Sequence, residues 1–353
     1  MKRRAAVAIA GFGGTLLALA AVASCGSRTG LPGEEAVDAE PEHGLLSPDR
    51  FAEEPKPKEE DALADVVGEE ILPGIDVNRP DVPVFNPCPD AAATLIYVIG
   101  KSGTLYSFDP GASTFTTIGT ISCPGTSTTD TPFSMAVDRE GIAYVGFSNT
   151  DPAGNQIGTG LFRVSTKTAI CTATTYNEAK NGMYTFGMGF VANATDAGVG
   201  EAGPLDQLFI SLDVGGITSN GLLSTLDTTS FNVTKIGFFS PAPGLAAAEL
   251  TGTGDGRLFA FSPGTVDGGT FIAQVDPGTA KIIAESVVPG VVQGAGWAFG
   301  FWGNAFYTFT TAGSMAGETT TLVHKFDPLT MKVTLVAMNT DTIVGAGVST
   351  CAP

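Results

Sequence analysis

The 353-residue sequence predicts an all-β chain closed into a β-propeller, with five four-stranded blades. Three features carry that expectation. A hairpin motif recurs five times, a strand of small residues recurs in the intervals, and the C-terminus ends in one such strand with no blade of its own.

The hairpins come first. GTLYSFDPGASTFTTIG (103–119), GLFRVSTKTAICTATT (160–175), GLLSTLDTTSFNVTKIG (221–237), TFIAQVDPGTAKIIAES (270–286) and TLVHKFDPLTMKVTLVA (321–337) share one layout. Apolar and polar residues alternate, a turn of Asp, Pro, Gly, Ser or Thr interrupts, and alternation resumes, which is the pattern of two antiparallel strands. In register, Phe108, Val164, Leu226, Val275 and Phe326 form one column, followed by Asp109, Ser165, Asp227, Asp276 and Asp327. A carboxylate at the start of a turn can accept from amides two residues on, so this column needs no ligand to explain it. Its members lie 56, 62, 49 and 51 residues apart, a blade-sized period.

Each interval holds a second pair: SMAVDREGIAYVGF (134–147), FGMGFVAN with DQLFISLD (186–213), LAAAELTGTGDGRLFAF (245–261) and WAFGFWGNAFYTF (297–309). The first strand of each is rich in small residues, among them Ala136, Gly187, Gly189, Ala246, Ala247, Gly300 and Gly345 in the C-terminal copy. Such strands suit the crowded axis of a propeller and are expected to be innermost. The first unit lacks an inner strand, and the terminal TIVGAGVST is an inner strand without a unit, so the last strand should complete the first blade. This pattern over residues 91–353 resembles NHL-type and quinoprotein-like repeat propellers, which implies the architecture and says little about activity. The Trp-Asp signature of WD40 repeats and the per-blade tryptophan motif of quinone-cofactor propellers are both missing; the tryptophans are Trp297 and Trp302.

Two segments precede the repeats. Residues 1–24 begin with Lys2, Arg3 and Arg4, continue in an apolar run, and end in small residues before Cys25, the layout of a secretion signal. The tetrad Val22-Ala23-Ser24-Cys25 resembles the lipobox of bacterial lipoproteins. That resemblance implies cleavage before Cys25 and its modification by a thioether-linked diacylglycerol, with N-acylation. Gly26 and Ser27, with no aspartate after the cysteine, resemble lipoproteins sorted to the outer membrane of Gram-negative bacteria. An uncleaved transmembrane helix is the alternative, the run from Ala5 to Ala23 being just long enough. Residues 25–90 form an expected tether: 17 acidic and 5 basic side chains with ten prolines in 26–90 cannot bury enough apolar surface to offset chain entropy. The propeller segment carries 19 acidic and 10 basic residues, a balance that argues against nucleic acid as partner.

Four cysteines remain, an even number that in an exported chain points to two disulfides. Circular closure would bring Cys88, before the first strand, next to Cys351, after the last. Cys123 and Cys171 then pair by elimination. A zinc site is the weaker reading, since CxxC spacing is missing.

Little chemistry is visible. His43 lies in the tether and His324 in a strand, without a nucleophile-base arrangement around it. Glu249, in LAAAEL, is the one acid on an expected inner strand; with Trp297, Phe299 and Trp302 it forms the candidate ligand site of the channel. Asp138 and Asp255 fall near turns. No catalytic residue, metal or cofactor is expected. The reading is a lipid-anchored, extracytoplasmic binding or scaffold module for an envelope protein, peptide or glycan. The alternative is a propeller hydrolase, lactonase- or glycosidase-like, with carboxylates or a metal at the channel mouth.

Overall fold

The computed structural model describes residues 72–77, 94–152, 156–181, 185–193, 205–212, 221–241, 245, 248–263, 269–311 and 320–353. The expected signal segment, Cys25, His43, Cys88 and most of the expected tether lie outside them.

The strands form five four-stranded antiparallel sheets. Blade 1 contains β1 (Ile96–Gly100), β2 (Thr104–Asp109) and β3 (Thr114–Thr120). Blade 2 contains β4 (Thr131–Val137), β5 (Ile142–Thr150), β6 (Gln156–Ser165) and β7 (Cys171–Ala173). A one-turn helix, α1 (Glu178–Asn181), precedes blade 3, made of β8 (Gly187–Ala192), β9 (Asp206–Leu212), β10 (Leu222–Leu226) and β11 (Val233–Phe238). Blade 4 is β12 (Glu249–Gly252), β13 (Leu258–Pro263), β14 (Thr270–Val275) and β15 (Ile282–Val288). Blade 5 is β16 (Trp297–Trp302), β17 (Ala305–Thr311), β18 (Thr321–Asp327) and β19 (Lys332–Asn339), and the last strand is β20 (Ile343–Val348). β20 pairs with β1, Val98 opposite Ala346 and Ile96 opposite Val348, and so supplies the missing inner strand of blade 1.

The inner strands make a ring, β20 beside β4, then β8, β12, β16 and back to β20. Their small residues permit backbone to approach backbone. A Cβ on Gly345 would stand 2.7 Å from the Met135 nitrogen, and one on Gly347 2.7 Å from that of Val137. Gly189 lies equally tight against Leu250. The requirement is thus set by the neighbouring blade's main chain as well as by the axis. Between blades the apolar faces merge into five separate cores, one per junction, the blade 4–5 core being built on Phe259, Phe261, Phe299 and Phe306.

The aspartate column performs the turn role read from the sequence. Asp109 Oδ1 accepts from the amides of Gly111 (2.8 Å) and Ala112 (3.1 Å), and Asp276 Oδ1 from Gly278 and Thr279 (2.9 Å each). Four residues after each member stands a residue with positive φ: Ser113, Ala169, Phe231, Ala280 and Met331, all between 54° and 62°. None is glycine or asparagine, so composition gave no sign of it. Buried side chains hold three of them: Ala169, Phe231 and Ala280 each enter an inter-blade core.

Cys123 and Cys171 are joined, with Cα atoms 5.0 Å apart, tying the connection after β3 to the outer strand of blade 2. Closing a 48-residue loop is worth about 4 kcal/mol in the chain-entropy account. Cys351 is also disulfide-bonded, to a residue outside those described. Residues 72–77, which fall inside the expected tether, pack on the edge of blade 4. The Glu285 amide donates to the Pro73 carbonyl (3.0 Å), the Ile75 amide to Ser286 Oγ (3.4 Å), and Ile75 and Val77 are buried in the blade 4–5 core. Their alternating apolar residues, placed beside an unpaired strand edge, find burial that composition could not reveal.

Candidate functional site

The connection into β12 places Glu249 at the start of an inner strand, where it meets the inner strands of two other blades. Ser134 Oγ, from β4, donates to Glu249 Oε2 at 2.8 Å, and the Met188 amide, from β8, donates to the same carboxyl. The side chain is 6% exposed. Burial pushes its pKa up to about 8, with the Ser134 and Met188 hydrogen bonds acting in the opposite direction. At neutral pH burial therefore favours the protonated form of the group, which can donate a hydrogen bond.

Glu249 lines a cavity of about 310 Å³ at the end of the channel where the inner strands begin. Trp297, Phe133, Pro132 and Val344 supply apolar wall; Thr129, Thr131, Ser148, Asn149 and Lys101 supply polar wall. Asn149 is oriented by Thr129 and by the next residue of its own strand, its Nδ2 donating to Thr129 Oγ1 (2.9 Å) and its Oδ1 accepting from the Thr150 amide (2.7 Å). Further along the axis Val137, Met188, Leu250 and Val348 leave no room for water, so the cavity is a cup rather than a pore.

The four residues expected at a central site part company here. Glu249 and Trp297 share the cavity. Phe299, two residues along on the same face of β16, is sealed in the blade 4–5 core, 5.4 Å from the Phe261 ring and 6.3 Å from Phe306. Trp302 sits at the far end of β16, its Nε1 donating to the Thr94 carbonyl and its ring 6.4 Å from Tyr307, where it fastens blade 5 to blade 1. Strand alternation and a six-residue strand length separate it from Glu249, so Phe299 and Trp302 are corrected to packing residues. Ser134, Asn149 and Lys101 were missed. One signal could have found Ser134: it precedes the turn residue Asp138 by four, as Glu249 precedes Thr253, and both turns are closed by the same amide-to-carbonyl bond.

The opposite face has a second cavity, of about 220 Å³, near Asp138, Arg139, Tyr144, Arg163 and Asp206. Its charges are largely committed to structure. Arg139 is buried and ion-paired with Asp206, which also accepts from Thr350 Oγ1 (2.9 Å) beyond the closing strand. Asp138 accepts from the Glu140 and Ile142 amides (3.0 and 2.8 Å), while burial pushes its pKa up to about 6. Asp255 is held by Arg257 Nε at 2.9 Å. His324 lies half-buried in β18, its pKa lowered by burial, and lines neither cavity. Among the described residues there is no group of three His, Cys, Asp or Glu able to hold a metal ion.

No protein-family profile matches the sequence, and no curated protein matches it. Solved structures do. A protein of unknown function from Bacteroides caccae is 9% identical, with 72% of this chain and 97% of that one covered, at a TM-score of 0.39. TolB from Acinetobacter baumannii is 13% identical over 68% of this chain and 51% of its own, TM-score 0.36. A GH43 β-xylosidase/α-arabinofuranosidase from a compost metagenome is 12% identical over 75% and 88%, TM-score 0.42. Likenesses at this level add nothing beyond the propeller architecture already visible in the sheets.

Proposed function

We propose that this chain is an extracytoplasmic, lipid-anchored binding protein, held by Cys25 at the outer membrane of a Gram-negative bacterium. The acidic segment before the repeats spaces the propeller from the lipid, and the propeller captures a small ligand, free or at the end of an envelope glycan or peptide, in the Glu249 cup. The observation that carries the reading is the cup itself: a closed-bottomed cavity of small-molecule size with a buried, oriented carboxyl and an indole in its wall. A hydrolase reading draws on one observation, the raised pKa of Glu249, which suits a general acid. Glycoside hydrolysis calls for a partner carboxylate about 5–10 Å away, and Glu249 is the one acid among the described residues of the cup.

The test uses the mature chain purified in detergent. Incubated with candidate ligands and followed by NMR, it should shift ligand signals and return the ligand unchanged after days. Product signals that vanish in Glu249→Gln would replace the binding reading with the hydrolase. Anchoring is tested separately. Labelled palmitate should enter the wild-type chain and not Cys25→Ala, which should leave the membrane fraction; membrane retention of the variant would refute the lipid anchor.

A further inference from the structure

We propose that the ligand of the cup is a single neutral, hydroxyl-rich ring, of the monosaccharide class, seated beside Trp297 with its hydroxyls on Glu249 and Asn149. This rests on the ligand-binding reading of the same cavity and narrows it to one chemistry.

Size gives the first constraint. About 310 Å³ is the low end of small-molecule pockets, room for one ring with its water rather than a chain of them. Hydrogen-bond capacity gives the second. A side-chain amide has two N–H donors and two lone pairs, and Asn149 spends one of each on Thr129 and Thr150. One donor and one acceptor remain, the pair that a hydroxyl can meet at once. Ser134 and Met188 take up part of the acceptor capacity of the Glu249 carboxyl, and in its protonated form the group adds an O–H donor. A ligand hydroxyl can accept from that O–H and donate its own hydrogen onward to Thr131 or Ser148.

Charge gives the third. An ammonium ligand needs an anion or an enclosing aromatic cage, and the cup offers a carboxyl that burial biases toward its neutral form, with one indole and the single phenyl ring of Phe133. An anionic ligand would depend on Lys101, an exposed ammonium whose pairing in water is worth little. What is left is a molecule with polar edges and an apolar C–H side. Trp297, Phe133 and Val344 provide a surface for that side.

The experiment uses the two tryptophans. Trp302→Phe keeps the aromatic packing of the blade 5–1 junction and leaves Trp297 as the single indole reporter. The mature chain carrying it is titrated with D-galactose, D-xylose, N-acetyl-D-glucosamine, D-galacturonate, D-glucosamine and choline, with saturation-transfer NMR as an indole-independent readout. At least one neutral sugar should bind saturably, and Asn149→Ala and Glu249→Gln should each weaken it tenfold or more. Lys101→Ala should change it less than threefold. Asn149 is partly exposed in a strand end, so its variant should fold even if a Glu249 variant does not. Binding of galacturonate that Lys101→Ala abolishes, or of glucosamine or choline in preference to neutral sugars, would overturn the neutral-ring inference and leave the cup as a binding site. Sugar binding unaffected by both Asn149→Ala and Glu249→Gln would overturn the cup as well. Absence of any neutral-sugar binding by either readout refutes the inference.

Discussion

Glu249 makes stability depend on pH in a direction opposite to that of a salt-bridged acid. Its folded-state pKa, about 8, lies above the value of 4.5 it has when solvated, so the folded chain keeps a proton that the unfolded chain releases. The stabilisation is complete below about pH 4.5 and is lost progressively as pH rises to about 8, at up to about 1.4 kcal/mol per pH unit. Asp138 acts in the same sense over a lower window, up to about pH 6. Urea midpoints measured from pH 5 to 8 should therefore fall for the wild type and fall less steeply for Glu249→Gln, the difference isolating this carboxyl. Parallel profiles would mean that Glu249 is ionised in the fold. The sequence showed this residue because it is an acid in a run of alanines. It hid the residue's partners, since Ser134 stands 115 positions away and only the ring of inner strands brings them together. Trp297 and Trp302 looked equivalent for a similar reason: which end of a short strand faces a channel mouth is decided by the whole ring.

At the scale of the element, the hairpins were legible because their alternation and turn residues are local properties. The five positive-φ residues were not, because three of them, Ala169, Phe231 and Ala280, are held by tertiary packing and by their turn's i to i+4 closure, as in the Ala280 amide bonded to the Asp276 carbonyl at 2.9 Å. A left-handed conformation costs a non-glycine residue about 1–2 kcal/mol, of which glycine's greater freedom in the unfolded chain returns about 0.5–1. Met331, at φ 54° with an exposed side chain, has little packing to lose. Met331→Gly should raise stability by up to about 1 kcal/mol, seen as a higher thermal midpoint. The same change at Phe231, whose ring is buried between blades 2 and 3, should lower it by about 3 kcal/mol or more. Equal effects at the two sites would show that backbone strain does not govern these turns. The helix α1 escaped the sequence reading because it is one turn long, started by Asn177 Oδ1 accepting from the Lys180 amide at 2.7 Å.

At the scale of the molecule, the ring is held shut by one strand, β20, and the blade count and circular exchange were readable because an unmatched strand at each end leaves few other ways to pair. What composition could not give was the docking of residues 72–77, whose burial depends on a free edge in blade 4. Closure by β20 concentrates risk at the C-terminus. Within β20, Gly345 and Gly347 admit no side chain against β4, Thr350 bonds Asp206 in blade 3, and Cys351 is disulfide-bonded just beyond. The partner we propose for Cys351 is Cys88, which precedes β1 in the sequence. Mass mapping of the non-reduced chain should then find the Cys88 and Cys351 peptides joined, with Cys123 joined to Cys171. Cys351→Ser should raise hydrogen exchange first in β20 and in its partner β1, while β12 to β15 of blade 4 keep their protection, because closing the ring is a local restraint on one strand pair. A Cys351 peptide joined to any cysteine other than Cys88 would refute the pairing. Exchange rising together in all five blades would show that the ring opens as one cooperative unit, without β20 as its weak point.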